Sequence, residues 1–274
     1  MRARATLSLR TLAFGDLDTA IWGAVWSQDD ARPAVLSLGS GAGVLTREVS
    51  IDGSGEDAAW RLVGDGVDLT FTPRTGVALA PLAGAATAGF EQLGEIDGRF
   101  AIGADEHELH ACPGRRGTRV AKVGLERLES VREVSAWFGA DEALALLALR
   151  PRGAAGHEQD LLGAALLDCG AAVTLADPRL STTYDAAGLP ARASIELWLG
   201  EPEGEQYPRR AAGEVVEPQA TLLDPRGGGG DPRAEDSVPP GKRSDPALEL
   251  HTALWRWRSG GREGAGVYML ALFG

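Results

Sequence analysis

The stretch "ALWRWRSGGREGAGVYML", residues 253–270, decides how the rest of the chain is read. Ala253, Trp255 and Trp257 alternate with Leu254, Arg256 and Arg258, and a Ser-Gly-Gly turn then leads into a second apolar run. Alternation with a period of two belongs to a β-strand with unlike faces, and a glycine-bearing turn between two such runs predicts a hairpin. His251, Ala253, Trp255 and Trp257 fall on one face, with Thr252, Leu254, Arg256 and Arg258 on the other. An inward arginine would need a carboxylate, because an unpaired buried charge is costly, and Glu214 and Glu263 are the available partners. Trp255 and Trp257 therefore read as barrel interior, while Arg256 and Arg258 face a partner, the other barrel or water.

The same period recurs along the chain. Val67, Leu69 and Phe71 share a face in "GVDLTFTP", and Ile195, Leu197 and Leu199 oppose Glu196 and Trp198 in "SIELWLG". Turn signals separate such runs at 64–66, 138–142, 184–190 and 259–264, which predicts antiparallel hairpins in an all-β sandwich or barrel. "ADEALALLALRP" is rich in helix formers, yet it follows the strand-like "VREVSAWF" across a short turn and reads as a buried strand. "HEQDLLGAALLD" stays open between helix and strand. The segment from Asp224 to Pro246 is dense in Gly, Pro and charge and reads as a disordered surface loop inserted between two strands.

At 274 residues the chain is long enough for one large domain or two ordinary ones, and two halves of similar texture meet near residue 110. We therefore expect domains at 1–110 and 111–274. A formal charge of -12, from 39 acidic and 27 basic residues, argues against nucleic acid and anionic membranes as partners. Two cysteines make no disulfide scaffold, Arg10 interrupts the only apolar run near the N-terminus, and no stretch approaches the roughly 20 apolar residues of a membrane span. A cytoplasmic location is expected.

Candidate chemistry is sparse. Gly39, Gly41 and Gly43 in "SLGSGAGVLTREV" lack the following helix of a dinucleotide fingerprint and read as a hairpin turn. In "DEHELHAC", a regular strand would put Glu108, His110 and Cys112 on one face, but no second cluster completes a coordination shell, so we assign no metal. There is no cofactor motif and no nucleophile elbow. The seven tryptophans, Trp22, Trp26, Trp60, Trp137, Trp198, Trp255 and Trp257, outnumber the six phenylalanines. Indole N–H groups need partners when buried, so these residues either line a cavity for an apolar ligand or plug the barrels, and composition leaves both open.

Several stretches taken together, "RRGTR", "VSAWFG", "LALRPRGA", "DPRLSTTYDAAGLPARASIELWLG", "YPRRAAGEVV" and "LWRWRSGGREGAGVY", resemble the lipocalin-like family of carotenoid hydratases, also called hydroxyneurosporene synthase-like or AttH-like proteins. They cover most of residues 112–274 in the family's order. The resemblance implies two consecutive lipocalin-like antiparallel barrels and, in the best-known members, addition of water across an isolated alkene. Such a step needs an acid to protonate carbon, an aromatic enclosure for the carbocation and a guided water. The family's Gly-x-Gly-x-Arg-x-His-Ser-Trp junction is matched at Gly114, Arg116 and Gly117, but Thr118, Arg119 and Val120 replace its His-Ser-Trp portion.

On this basis we expect a hydratase or isomerase acting on a terpenoid- or carotenoid-type alkene. Glu214 and Asp185 are the candidate acids, and Arg116, Trp137, Tyr184, Trp198, Trp255 and Trp257 the candidate substrate-binding residues. Each acid has a plainer role open to it, Asp185 as a turn aspartate and Glu214 as an ion-pair partner. The alternative function is a non-catalytic carrier of a terpenoid, carotenoid, lipid or other hydrophobic small molecule.

Overall fold

Antiparallel strands account for most of the described residues, as the hairpin signals predict. The computed structural model describes residues 7–28, 33–53, 55–78, 87–121, 127–139, 142–168, 171–175, 177–198, 208–224 and 248–274. Eight strands, β1 (Leu7–Asp16), β2 (Ile21–Ser27), β3 (Ala34–Ser40), β4 (Gly43–Asp52), β5 (Trp60–Gly64), β6 (Val67–Pro73), β7 (Thr87–Ile102) and β8 (Asp105–Ala121), close into an antiparallel barrel. β8 seals it by pairing with β1, Leu12 lying opposite Arg116.

The second unit is a sheet of nine strands: β9 (Leu128–Trp137), β10 (Glu142–Pro151), β11 (Leu161–Asp168), β12 (Ala171–Thr174), β13 (Arg179–Tyr184), β14 (Pro190–Leu197), β15 (Arg209–Asp224), β16 (Leu248–Ser259) and β17 (Arg262–Phe273). Its order is β12-β11-β10-β9-β17-β16-β15-β14-β13, so the two edge strands, β12 and β13, are consecutive in the chain. Only residues 175–178 join them, a span of at most about 18 Å, which forces the sheet to curl until its edges approach. The two expected barrels are thus one closed barrel and one curled half-barrel. The division expected near residue 110 falls inside β8, which runs on to Ala121 before β9 begins at Leu128.

"ADEALALLALRP" forms β10, buried from Glu142 to Leu149, and "HEQDLLGAALLD" resolves into a 3-10 turn at His157–Gln159 followed by β11. "SLGSGAGVLTREV" is the β3–β4 hairpin. The segment 225–246 lies outside the described residues. No helix among the described residues is long and apolar enough to cross a membrane.

Period-two alternation divides the apolar side chains into three layers. Leu12, Phe14, Val25, Leu36, Leu38, Leu62, Leu69, Phe71 and Ile96 point into the closed barrel, each with essentially no accessible surface, so the barrel is filled by its own side chains. Trp255, Trp257, Tyr268, Leu146, Leu166, Ile195 and Leu270 line the concave face of the curled sheet. Leu9, Ala13, Trp22, Trp26, Trp137, Leu147, Leu254, Val267 and Met269 form the seam between the two units. Strands β1 and β9 are buried on both faces: Leu9, Thr11 and Ala13 meet the seam while Leu12 and Phe14 enter the barrel.

The common face expected for Glu108, His110 and Cys112 does not form. A β-bulge leaves His110 and Ala111 opposite Asp97, with Ala111 at a φ of 49°, so Cys112 rotates into the barrel core while His110 stays outside. Among the described residues, no three His, Cys, Asp or Glu side chains gather as a metal site. Burial, the main influence, pushes the Cys112 thiol up to about 12. At pH 8 about one molecule in 10⁴ then carries the thiolate. Iodoacetamide should leave Cys112 unmodified in the native protein and alkylate it fully in urea, as read by peptide mass spectrometry. Native-state alkylation at Cys112 would show that the barrel opens there.

Candidate functional site

The seam collects polar groups that an apolar layer does not need. On β9, Glu133, Ser135 and Trp137 project toward the barrel, whereas Arg132, Val134 and Ala136 project into the curled sheet. Opposite Glu133, Thr11 of β1 donates to Glu133 Oε1 at 2.6 Å, and Arg115 of β8 bonds the same oxygen. Arg115 also bonds Glu91 of β7, and Arg119 bonds the second Glu91 oxygen. Two carboxylates and two guanidinium groups thus interlock in full burial. Burial opposes the charge on Arg115, but Glu133 and Glu91 outweigh it and raise its basicity. At Glu91 burial is the dominant influence and drives the carboxyl above the usual range. Arg115 and Arg119 pull the other way, and the nearby Glu133 charge adds to the rise.

Not every polar atom here is satisfied. Glu133 Oε2, Ser135 Oγ, Thr252 Oγ1 and the indole N–H groups of Trp22, Trp26 and Trp137 are buried without a partner among the described residues. Buried polar atoms are nearly always hydrogen-bonded, so such a concentration in one layer marks it as a place where water or a ligand's polar group would complete the pattern.

A second polar group sits at the base of the curled sheet. Trp255 stacks on Trp257 with centroids 5.6 Å apart and on Tyr268 at 4.8 Å. Trp257 lies flat because Gly213 and Gly266 are beneath it: a Cβ at either would come within 2.7 Å of its ring. The Tyr268 hydroxyl meets Thr182 Oγ1 at 2.9 Å, and Arg132 pairs with Asp160, which Arg150 also holds at 3.2 Å. Burial raises the Tyr268 phenol above its ordinary range, although Arg132 and Thr182 oppose it.

The residues expected from sequence divide among these places. Trp255 and Trp257 line the curled sheet, Trp137 lies in the seam, and Arg116 caps the filled barrel. There Arg116 holds Gln92 Oε1 at 2.6 Å and stacks 5.0 Å above Trp60. Burial, helped by the Arg10 cation, lowers Arg116 to about 10, so it stays charged at neutral pH. Tyr184 is at the rim of the curled sheet, and Trp198 is half-buried on its outside with Arg179 at 5.7 Å. Glu214 is on the outer face, its side chain 46% exposed and 4.0 Å from Arg258. Asp185 organises the β13–β14 turn, its Oδ1 accepting from the N–H groups of Ala187 and Leu189 at 2.9 and 2.8 Å. Arg256 and Arg258 face outward and pair with Glu263 at 3.5 and 3.3 Å.

Sequence reading passed over Glu91 and Glu133 and gave Arg115 and Arg119, both within "RRGTR", no role in a site. One signal was available: in "VREVSAWF" apolar residues occupy both alternating faces, so a glutamate within it is buried whichever way it points.

No family model matches the sequence, and no curated protein sequence does. Solved structures do match. CghA, crystallised with Sch210972, superposes with a TM-score of 0.64 at 12% identity over 99% of this chain and 89% of its own. An AttH-like protein from Nitrosomonas europaea gives 0.61 at 11% identity, covering 98% and 93%. Kievitone hydratase from Nectria haematococca gives 0.59 at 9% identity, covering 99% and 90%. The fold is that of CghA and the AttH-like protein. At these identities the likeness carries the architecture, and it bears out at the level of fold the AttH-like resemblance drawn from "RRGTR", "VSAWFG" and the C-terminal hairpin. The AttH-like arrangement spans both units, barrel and curled sheet together, so the seam belongs to the shared architecture.

Proposed function

We propose that the protein is a hydratase- or isomerase-type enzyme that takes an apolar alkene of terpenoid type into the seam, with the Glu91–Glu133 pair as its acid and base. The observation that carries this reading is the unpartnered Glu133 Oε2, buried on the same β9 face as Trp137 and within the layer that holds Trp22 and Trp26. Burial raises the Glu91 carboxyl above the usual carboxylate range, which suits it to hold the proton, and Arg115 touches both carboxyl groups. That proton would pass to the less substituted alkene carbon, leaving a tertiary cation beside the indole faces. Water then bonds to the cation and its surplus proton returns to the carboxylate, so that H and OH have been added across the double bond. An isomerase would instead lose a proton from a neighbouring carbon. Since the seam side chains close over one another, substrate entry requires barrel and sheet to part.

The second reading is a non-catalytic carrier of a hydrophobic molecule. Two observations favour it: Arg119 is committed to Glu91, and Val120 faces outward, where the family resemblance has Ser and Trp. Incubation with acyclic polyenes in heavy water, followed by mass spectrometry of the extracted product, separates the two. The enzyme leaves one carbon-bound deuterium per turnover. A polyene retained in native mass spectra without label supports the carrier, and neither label nor retention overturns both.

A further inference from the structure

The curled sheet ends at two edge strands, β12 and β13, that do not pair with each other among the described residues. Val173 of β12 lies opposite Leu166, a residue of the hollow's core, and so belongs to the inner face, yet it is 38% exposed. Tyr184 of β13 shares the face of Leu180 and Thr182 and is 45% exposed. Inner-face side chains thus see solvent at both edges of the sheet, and among the described residues β12 pairs with β11 alone and β13 with β14 alone.

What lies behind these edges selects the visitor. Tyr268 and Thr182 each carry a hydroxyl able to donate or accept, 2.9 Å from one another. Charge is balanced, with Arg132 and Arg150 against Asp160 and Glu129. Donors are in surplus, because Trp257 Nε1 and Arg132 Nε are buried without partners. An apolar aromatic wall with spare donors and no spare positive charge suits an acceptor oxygen on an uncharged molecule, while a carboxylate would have to shed its hydration for no net attraction.

We propose that this hollow is a second binding site, separate from the seam, for an uncharged apolar ketone or alcohol that enters between β12 and β13 and hydrogen-bonds Tyr268 and Thr182. The proposal does not rest on the function proposed for the seam. Calorimetric titration of the full chain with 2-decanone and with decanoate tests it. Decanone should bind, with decanoate at least about tenfold weaker. Tyr268→Phe and, independently, Thr182→Val should each weaken decanone roughly three- to tenfold, as expected for one hydrogen bond. Trp137→Phe, in the seam, should leave the decanone affinity unchanged. Equal binding of ketone and carboxylate, no effect of either hydroxyl deletion in a folded variant, or loss of decanone binding in Trp137→Phe would each overturn the assignment.

Discussion

Replacing Glu133 by glutamine should lower deuterium incorporation into a polyene by roughly 10²- to 10⁴-fold, the range general acid–base groups supply, with the fold kept. The amide is isosteric and can keep the contacts that Thr11 and Arg115 make with Oε1, so near-ultraviolet circular dichroism should not change. What is removed is a carboxyl group able to take up and return a proton. The pH profile gives an independent reading. Burial, the largest influence on Glu91, raises it despite Arg115 and Arg119, and a carboxyl with a raised value holds its proton above the normal carboxylate range. Activity that needs this proton is therefore complete at low pH and falls as pH rises through the raised value. Glu91→Gln should shift or erase that falling limb. A folded Glu133→Gln protein with full activity would remove the carboxylate pair from the mechanism.

Replacing Arg115 by methionine should destabilise the protein by about 3–5 kcal/mol, because Glu91 and Glu133 would remain buried with much of their compensation gone. For a chain of this size that corresponds to a fall in Tm of roughly 10 °C, measurable by thermal or urea unfolding. Adding Glu133→Gln alone to the same protein should restore much of the loss, since Glu91 keeps its pair with Arg119 and no unpaired buried charge then remains. Equal stability of Arg115→Met and the parent would mean that water reaches the cluster and that the seam is not the sealed layer described.

The cluster also shows why the best acids visible in the sequence are not the buried ones. Glu214 and Asp185 stand in the stretches that resemble the hydratase family, and the structure places the first in a surface pair and the second in a turn. Glu91 and Glu133 are 42 positions apart, numbered 91 and 133, and meet only because closure of the barrel sets β8 and β1 beside one another under β9. No local pattern encodes that meeting.

Alternation by itself determined a good deal. It placed Trp255 and Trp257 on the inner face and Arg256 and Arg258 on the opposite one, while the short turn after "VREVSAWF" made a strand of the helix-prone "EALALLALRP". A strand's side chains must point to opposite faces in turn, so a single segment carries this information. Tertiary structure alone decided which layer each face meets. β9 is apolar on both sides, and only its pairing with β17 and β10 sends Glu133 to the seam and Arg132 to the hollow. The bulge at His110 and Ala111 likewise reverses the phase of β8 beyond what a regular period allows. The physical reason is range: the direction of a side chain follows from backbone geometry two residues long, whereas its partners follow from strand pairings that join residues a hundred positions apart.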